Sequence, residues 1–91
     1  MTEKKRGREP LTIERVQTGV RLEKRLLKVL KGLAEFHDVT VGDLLEGIVL
    51  HAFEGKCALS KISLEKVRDL KKIYEMDYGS DASHHLIERT E

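Results

Sequence analysis

Several things are scarce in this chain. Its 91 residues include no Trp, one Pro and one Cys, and aromatic residues make up 4%, so Leu, Val and Ile have to build the core. The single cysteine, Cys57, has no intrachain partner for a disulfide, which fits a reducing interior. No apolar targeting segment opens the sequence, because residues 1–10 are mostly charged. The longest uncharged run around the apolar centre, Gly47 to Phe53, is far too short to span a bilayer. These absences predict a cytoplasmic protein with no membrane partner. Catalytic frames are missing too. There is no Gly-rich phosphate loop, no nucleophile beside a placed base, and no carboxylate pair on a recognisable frame. Cys57 follows a predicted helix C-terminus, a position that does not favour a thiolate. The expectation is that the chain is not an enzyme and needs no cofactor. Internal repeats and low-complexity tracts are absent as well.

What is present is a strong charge asymmetry. The net charge of +1 hides ten Lys/Arg against four Glu in residues 1–31, about +6, and seven Lys/Arg against twelve Asp/Glu in residues 32–91, about −5. A basic N-terminal half fits contact with a polyanion. An acidic C-terminal half would be held away from that polyanion, or would face a basic partner. At this length a single small domain is marginal on its own, and dimerisation is the natural remedy.

Along the chain, residues 1–10 (MTEKKRGREP) read as a flexible basic arm, and Pro10 marks the start of order. Residues 14–22 alternate: Val16, Thr18, Val20 and Leu22 share one face, and Arg15, Gln17, Gly19 and Arg21 share the other. Period two predicts a half-buried strand. Residues 23–37 shift to helical period, with Leu26, Leu30, Leu33 and Ala34 as a stripe that Leu27 and Val29 widen. Glu23 near the start and Lys28 and Lys31 further on suit the helix dipole. Gly32 costs such a helix about 1 kcal/mol against Ala, which a close approach by another helix would offset.

His37-Asp38-Val39 reads as a turn, and Thr40 as the N-cap of a second helix with Asp43 completing a variant capping box. Residues 41–54 are apolar on many sides (Val41, Leu44, Leu45, Ile48, Val49, Leu50, Ala52, Phe53), as expected of a helix at a dimer centre. Gly47 would let another backbone come near. Gly55-Lys56-Cys57 ends this helix. Ser63 is the expected cap of a third, with Leu64, Val67, Leu70 and Ile73/Tyr74 as its stripe. Gly79-Ser80-Asp81 breaks the pattern, and one more helical turn is expected within residues 82–91.

A strand cannot fold alone, because its unpaired N–H and C=O groups need a partner and a lone ribbon is marginal without helices packed on it. One strand followed by two helices therefore predicts that a second copy supplies the other strand. The expected dimer core takes Val16, Val20 and Leu22 from the strand. It takes Leu26, Leu30 and Leu33 from the first helix, and Leu44, Leu45, Ile48, Val49 and Phe53 from the second. The polar strand face carries base-reading chemistry. Arg21 can bond guanine O6 and N7 bidentately, and Gln17 can bond adenine N6 and N7. Arg15 and Lys24, further out, suit phosphate. Lys4, Lys5, Arg6 and Arg8 could track phosphate or enter a minor groove. The free N–H groups of Val41 and Gly42 behind Thr40 form a helix N-terminus of the kind that binds phosphate.

These residues resemble the ribbon-helix-helix family of bacterial, archaeal and phage DNA-binding proteins. The matching pieces are the strand VQTGVRL, the helix EKRLLKVLKGLAEF, the turn HDVT and the helix VGDLLEGIVLHAF, about residues 15–53. The resemblance implies a mostly α fold with one short β-strand per chain. Two chains would form an intertwined homodimer whose two-stranded antiparallel ribbon lies in the DNA major groove. It implies base contacts from Gln17, Gly19 and Arg21, and a phosphate clamp at Thr40. Gly19 departs from the pattern, since that position is commonly polar. The expected organisation is an arm over 1–12, a DNA-binding and dimerisation domain over 13–55, and a C-terminal helical extension over 56–91.

The expected function is sequence-specific DNA binding by a transcriptional regulator, a repressor acting by operator occupancy. The partners are double-stranded DNA and a second copy of the chain, with residues 57–91 open to a protein partner. The alternative is an antitoxin, whose C-terminal segment binds a toxin while the N-terminal domain autoregulates. A purely structural dimerisation module is a third reading, against which the basic N-terminal half counts. Asp81, His84, His85 and Glu88 group possible metal ligands, with His84 and Glu88 at i, i+4. Adjacent histidines point apart on a helix, and His51 and Cys57 are too loosely placed to complete a site, so no metal is expected.

Overall fold

A computed structural model describes residues 9–89. Three helices carry the chain: α1 (Lys24–His37), α2 (Val41–Phe53) and α3 (Lys61–Ile73), followed by one 3-10 turn at Ser80–Ala82. Among the described residues there is no strand. The expectation of a strand over 14–22, and with it the ribbon of an intertwined ribbon-helix-helix dimer, is therefore corrected. Residues 9–22 are exposed throughout, with neither helix nor strand. The reason is that alternation of apolar and polar side chains defines two faces but supplies no neighbour. A strand exists through its ladder of N–H···O=C bonds, and no segment among the described residues pairs with 9–22.

The helices begin and end by local chemistry. Glu23 is the N-cap of α1, its carboxylate accepting from the Leu26 N–H at 3.2 Å. Thr40 caps α2 as expected, with Oγ1 accepting from the Asp43 N–H at 3.0 Å. The cap of α3 is Ser60 rather than Ser63: Ser60 Oγ accepts from the Ser63 N–H at 3.2 Å. All three C-termini close in the same way, with a residue in the left-handed region. These are Asp38 (φ 58°), Gly55 (φ 68°) and Glu75 (φ 56°). Behind each, paired backbone bonds of the Schellman type take up the last carbonyls: Val39 N–H to Ala34, Lys56 N–H to His51, and Met76 N–H to Lys71. Only one of the three is glycine, so two helices stop at an acidic residue that tolerates this conformation less readily.

Helix α1 is the hub. It packs on both α2 and α3, while α2 and α3 do not pack on each other. The α1–α3 seam is antiparallel. His37 Nε2 lies 2.7 Å from Ser63 Oγ, Lys66 Nζ sits 4.9 Å from the Phe36 ring centroid, and Lys28 Nζ sits 5.5 Å from that of Tyr74. Between them Leu70 fills the notch at Gly32, where an added Cβ would come within 2.8 Å of Leu70 Cδ2. That is the close approach expected to offset the glycine. The α3 face that meets α1 is thus Ser63, Val67, Leu70 and Tyr74. It keeps Val67, Leu70 and Tyr74 of the expected stripe and takes Ser63 in place of Leu64, while Leu64 and Ile73 are exposed. Val29, Leu33 and Ala34 are the buried apolar residues. The expected helical turn within 82–91 is absent from the described part, where Ser80–Ala82 is the last helical element.

Candidate nucleic-acid interface

The segment proposed to read DNA is held at two points. At one end, the Arg15 guanidinium forks onto the Glu46 carboxylate of α2, Nε to Oε2 at 2.9 Å and Nη2 to Oε1 at 2.8 Å. That paired donation holds the Glu46 carboxyl below the usual range. At the other end the chain enters α1 through Leu22 and Glu23. Gln17, Gly19 and Arg21 lie on the span between these anchors. All three are exposed, and an added Cβ on Gly19 would meet nothing within 4 Å.

Arg15 does not stand free for phosphate; it is spent on Glu46, and both side chains remain about half in water or more. Glu46 lies five residues into α2, roughly 7.5 Å along its axis from Val41. The Arg15 guanidinium therefore meets α2 in its second turn, one turn beyond the N-terminal N–H groups at Val41 and Gly42 that stand behind the Thr40 cap. Lys24 is exposed as the first residue of α1. The arm residues Lys4, Lys5, Arg6 and Arg8 lie outside the described residues.

Arg21 is exposed, yet its Nη2 makes an ion pair with the Glu88 carboxylate across 67 positions of sequence. Next to it, the N-terminus of α1 is clasped by the residues after α3. The Tyr78 hydroxyl donates to Glu23 Oε1 at 2.8 Å. Arg25 donates to the Glu75 carbonyl at 3.0 Å and to Asp77 Oδ1 at 3.3 Å, and its guanidinium lies 5.5 Å from the Tyr78 ring centroid. Glu23 also receives Arg25 Nε at 3.1 Å. The Tyr78 hydrogen bond is the main cause that lowers the Glu23 carboxyl to about 2, with donation from Arg25 and from the Leu26 N–H adding to it. Burial, with the Glu23 carboxylate beside it, pushes the Tyr78 hydroxyl above its ordinary value.

The expected dimer-core residues divide. Leu33 is buried within the single chain, and Leu26, Leu30, Leu44, Leu45 and Ile48 are half-buried. Val16, Val20, Leu22, Val49 and Phe53 are exposed, Phe53 at 80%. Asp81, His84, His85 and Glu88 are not assembled. Among the described residues no group of three or more His, Cys, Asp or Glu could hold a metal ion, and Glu88 faces Arg21.

Sequence reading missed the partners: Glu46 for Arg15, Tyr78 for Glu23, Glu88 for Arg21 and Ser63 for His37. Each pair is separated by 26 residues or more, beyond the reach of local periodicity. One signal was available in the charge asymmetry, since an acidic half needs either distance from the polyanion or a basic partner. Asp77 and Glu88 find that partner in the chain's own basic half, at Arg25 and Arg21. No helix among the described residues is long and apolar enough to cross a membrane. Comparison with protein-family models, curated proteins and solved structures finds no match for this chain.

Proposed function

We propose that the chain is a sequence-specific DNA-binding regulator that represses by occupying its operator. The observation that carries this reading is the exposed span between Arg15 and Glu23. It carries Gln17 and Arg21 exposed, Arg21 in an open ion pair with Glu88, while its ends are tied to α2 and α1. A tethered segment loses less conformational freedom on binding than a free one. Arg and Gln are the side chains that discriminate guanine and adenine in the major groove. The basic N-terminal third supplies the long-range attraction, and the N-terminus of α2 with Lys24 supplies backbone contacts.

The regulator acts as a homodimer. Val49, Leu50 and Phe53 of α2, and Val16 and Val20 before α1, leave apolar surface in water that so small a core does not cover. A second copy related by a two-fold axis would cover these exposed side chains, and two copies would read equivalent half-sites. The antitoxin alternative has less support, because Glu75, Asp77 and Tyr78 are engaged at the start of α1 and Glu88 pairs with Arg21.

Fluorescence anisotropy tests the reading, with duplex DNA from upstream of the chain's own gene against scrambled duplex over a salt series. Tight binding to the upstream duplex alone, weakening steeply with salt, is the expected result. Arg21→Ala is expected to lower that affinity by about 1–3 kcal/mol with the dimer intact. Absence of binding at low salt would sink the proposal.

A further inference from the structure

The arginine on which DNA recognition depends is already occupied by an anion. A groove runs between residues 21–25 and 86–89, and across it Glu88 pairs with Arg21. Below it, Tyr78 and Asp77 clasp Glu23 and Arg25 at the start of α1. The stretch 75–89 carries Glu75, Asp77, Asp81 and Glu88 against Arg89, a net charge of about −3 with histidines neutral. A carboxylate takes the same guanidinium donors that a phosphate oxygen or a guanine edge would take.

We propose that residues 75–89 act as an intramolecular competitor for DNA. Clasped at the N-terminus of α1, the tail presents Glu88 to Arg21, and duplex DNA has to displace it. The inference rests on the DNA-binding reading above and deepens it to a regulation of the same site. Two features make the mask displaceable rather than permanent. The side chains of Arg21 and Glu88 remain 83% and 64% exposed, and an ion pair in such a setting shifts an equilibrium about fivefold at most. The clasp keeps Glu88 near Arg21, so a weak contact is repeatedly re-formed. Anything that draws the tail away raises DNA affinity without touching the reading segment.

The test compares four full-length chains in anisotropy titrations with duplex DNA at low salt: the parent, Glu88→Gln, Asp77→Asn/Glu88→Gln, and Asp69→Asn. The last makes the same charge change on the exposed side of α3 and controls for net charge. In parallel, NMR follows the Arg21 side-chain Nε–H and the amides of residues 84–88. Glu88→Gln is expected to bind about two- to fivefold tighter than the parent and the double variant up to about tenfold tighter, with Asp69→Asn within about twofold of the parent. DNA added to the parent is expected to move the 84–88 amides toward their positions in Glu88→Gln.

Equal affinities for Glu88→Gln and Asp69→Asn would overturn the mask while leaving DNA binding intact. Unchanged tail and Arg21 resonances in Glu88→Gln would overturn it as well, since no contact would have been lost. If no chain binds duplex even at low salt, the DNA reading falls and the mask falls with it.

Discussion

Helices α1 and α2 are nearly equal in length and opposite in fate. Seven of the 14 residues of α1 are apolar, and with α3 it builds the buried centre at Val29, Leu33 and Ala34. Eight of the 13 residues of α2 are apolar, yet none is buried. The more hydrophobic helix is the less covered one. Hydrophobicity alone therefore does not decide burial within a chain; it requires a complementary face, and α3 offers one to α1 through Leu70, Val67 and Tyr74. Val49, Leu50 and Phe53 of α2 stay exposed, and a second copy is the occupant we propose for them.

The comparison can be broken most forcefully at its two ends. Leu33→Ala, at the buried centre, is expected to destabilise the chain by about 2–5 kcal/mol in urea unfolding, enough to unfold a domain this small. Phe53→Asp is expected to leave the helical signal nearly unchanged, within about 0.5 kcal/mol for an exposed site, when both proteins are compared at concentrations where they are monomeric. Sedimentation should instead show the loss of a dimer that the parent forms. A parent that sediments as a monomer at high concentration would end the proposal for α2.

An intermediate effect concerns the clasp between the tail and α1. The Glu23 carboxyl is lowered from 4.5 to about 2 by Tyr78 and its other donors. A carboxyl lowered on folding stabilises the fold fully above about pH 4.5, and that contribution is lost as pH falls toward 2. Carbon-detected titration of Glu23 should give a value near 2 in the parent and a higher one in Tyr78→Phe. Identical titration of the two proteins would rule out the hydrogen bond as the cause.

The smallest effect sharpens the contrast between the two glycines in helix interiors. Gly47→Ala meets nothing within 4 Å, so in the Phe53→Asp background it should stabilise α2 by about 0.5–1 kcal/mol. Gly32→Ala has the same intrinsic gain but pushes its Cβ against Leu70, and it should bring no net stabilisation. Thermal melts that place the two substitutions alike would mean that α3 does not seat on α1 as described.

Much of this was legible in the sequence wherever the physics is local. The limits of α1 and α2, the cap at Thr40 and the turn at Asp38 depend on interactions within four or five residues. The strand expected over 14–22 does not form, because a backbone ladder depends on a neighbour that no local pattern encodes. The face of α3 keeps Val67, Leu70 and Tyr74 of the local stripe but takes Ser63 in place of Leu64. Leu64 is the more apolar choice, yet Ser63 is buried, because it meets His37 and because Leu70 must seat at Gly32. For the candidate site, Gln17 and Arg21 could be singled out by residue type. Their surroundings could not, since Glu46, Tyr78 and Glu88 reach the segment from distant parts of the chain.

By itself, then, the amino-acid order determined where the helices start and stop, which segment is basic, and that one helix carries more apolar surface than a lone chain can cover. These follow from short-range hydrogen bonding, helical period and charge count. Only the tertiary structure decided which face of α3 meets α1, that Arg15 is tied to α2, and that the acidic tail lies over Arg21. Those outcomes come from contacts between residues far apart in sequence, where packing shape and charge pairing select among faces that the local pattern leaves equivalent.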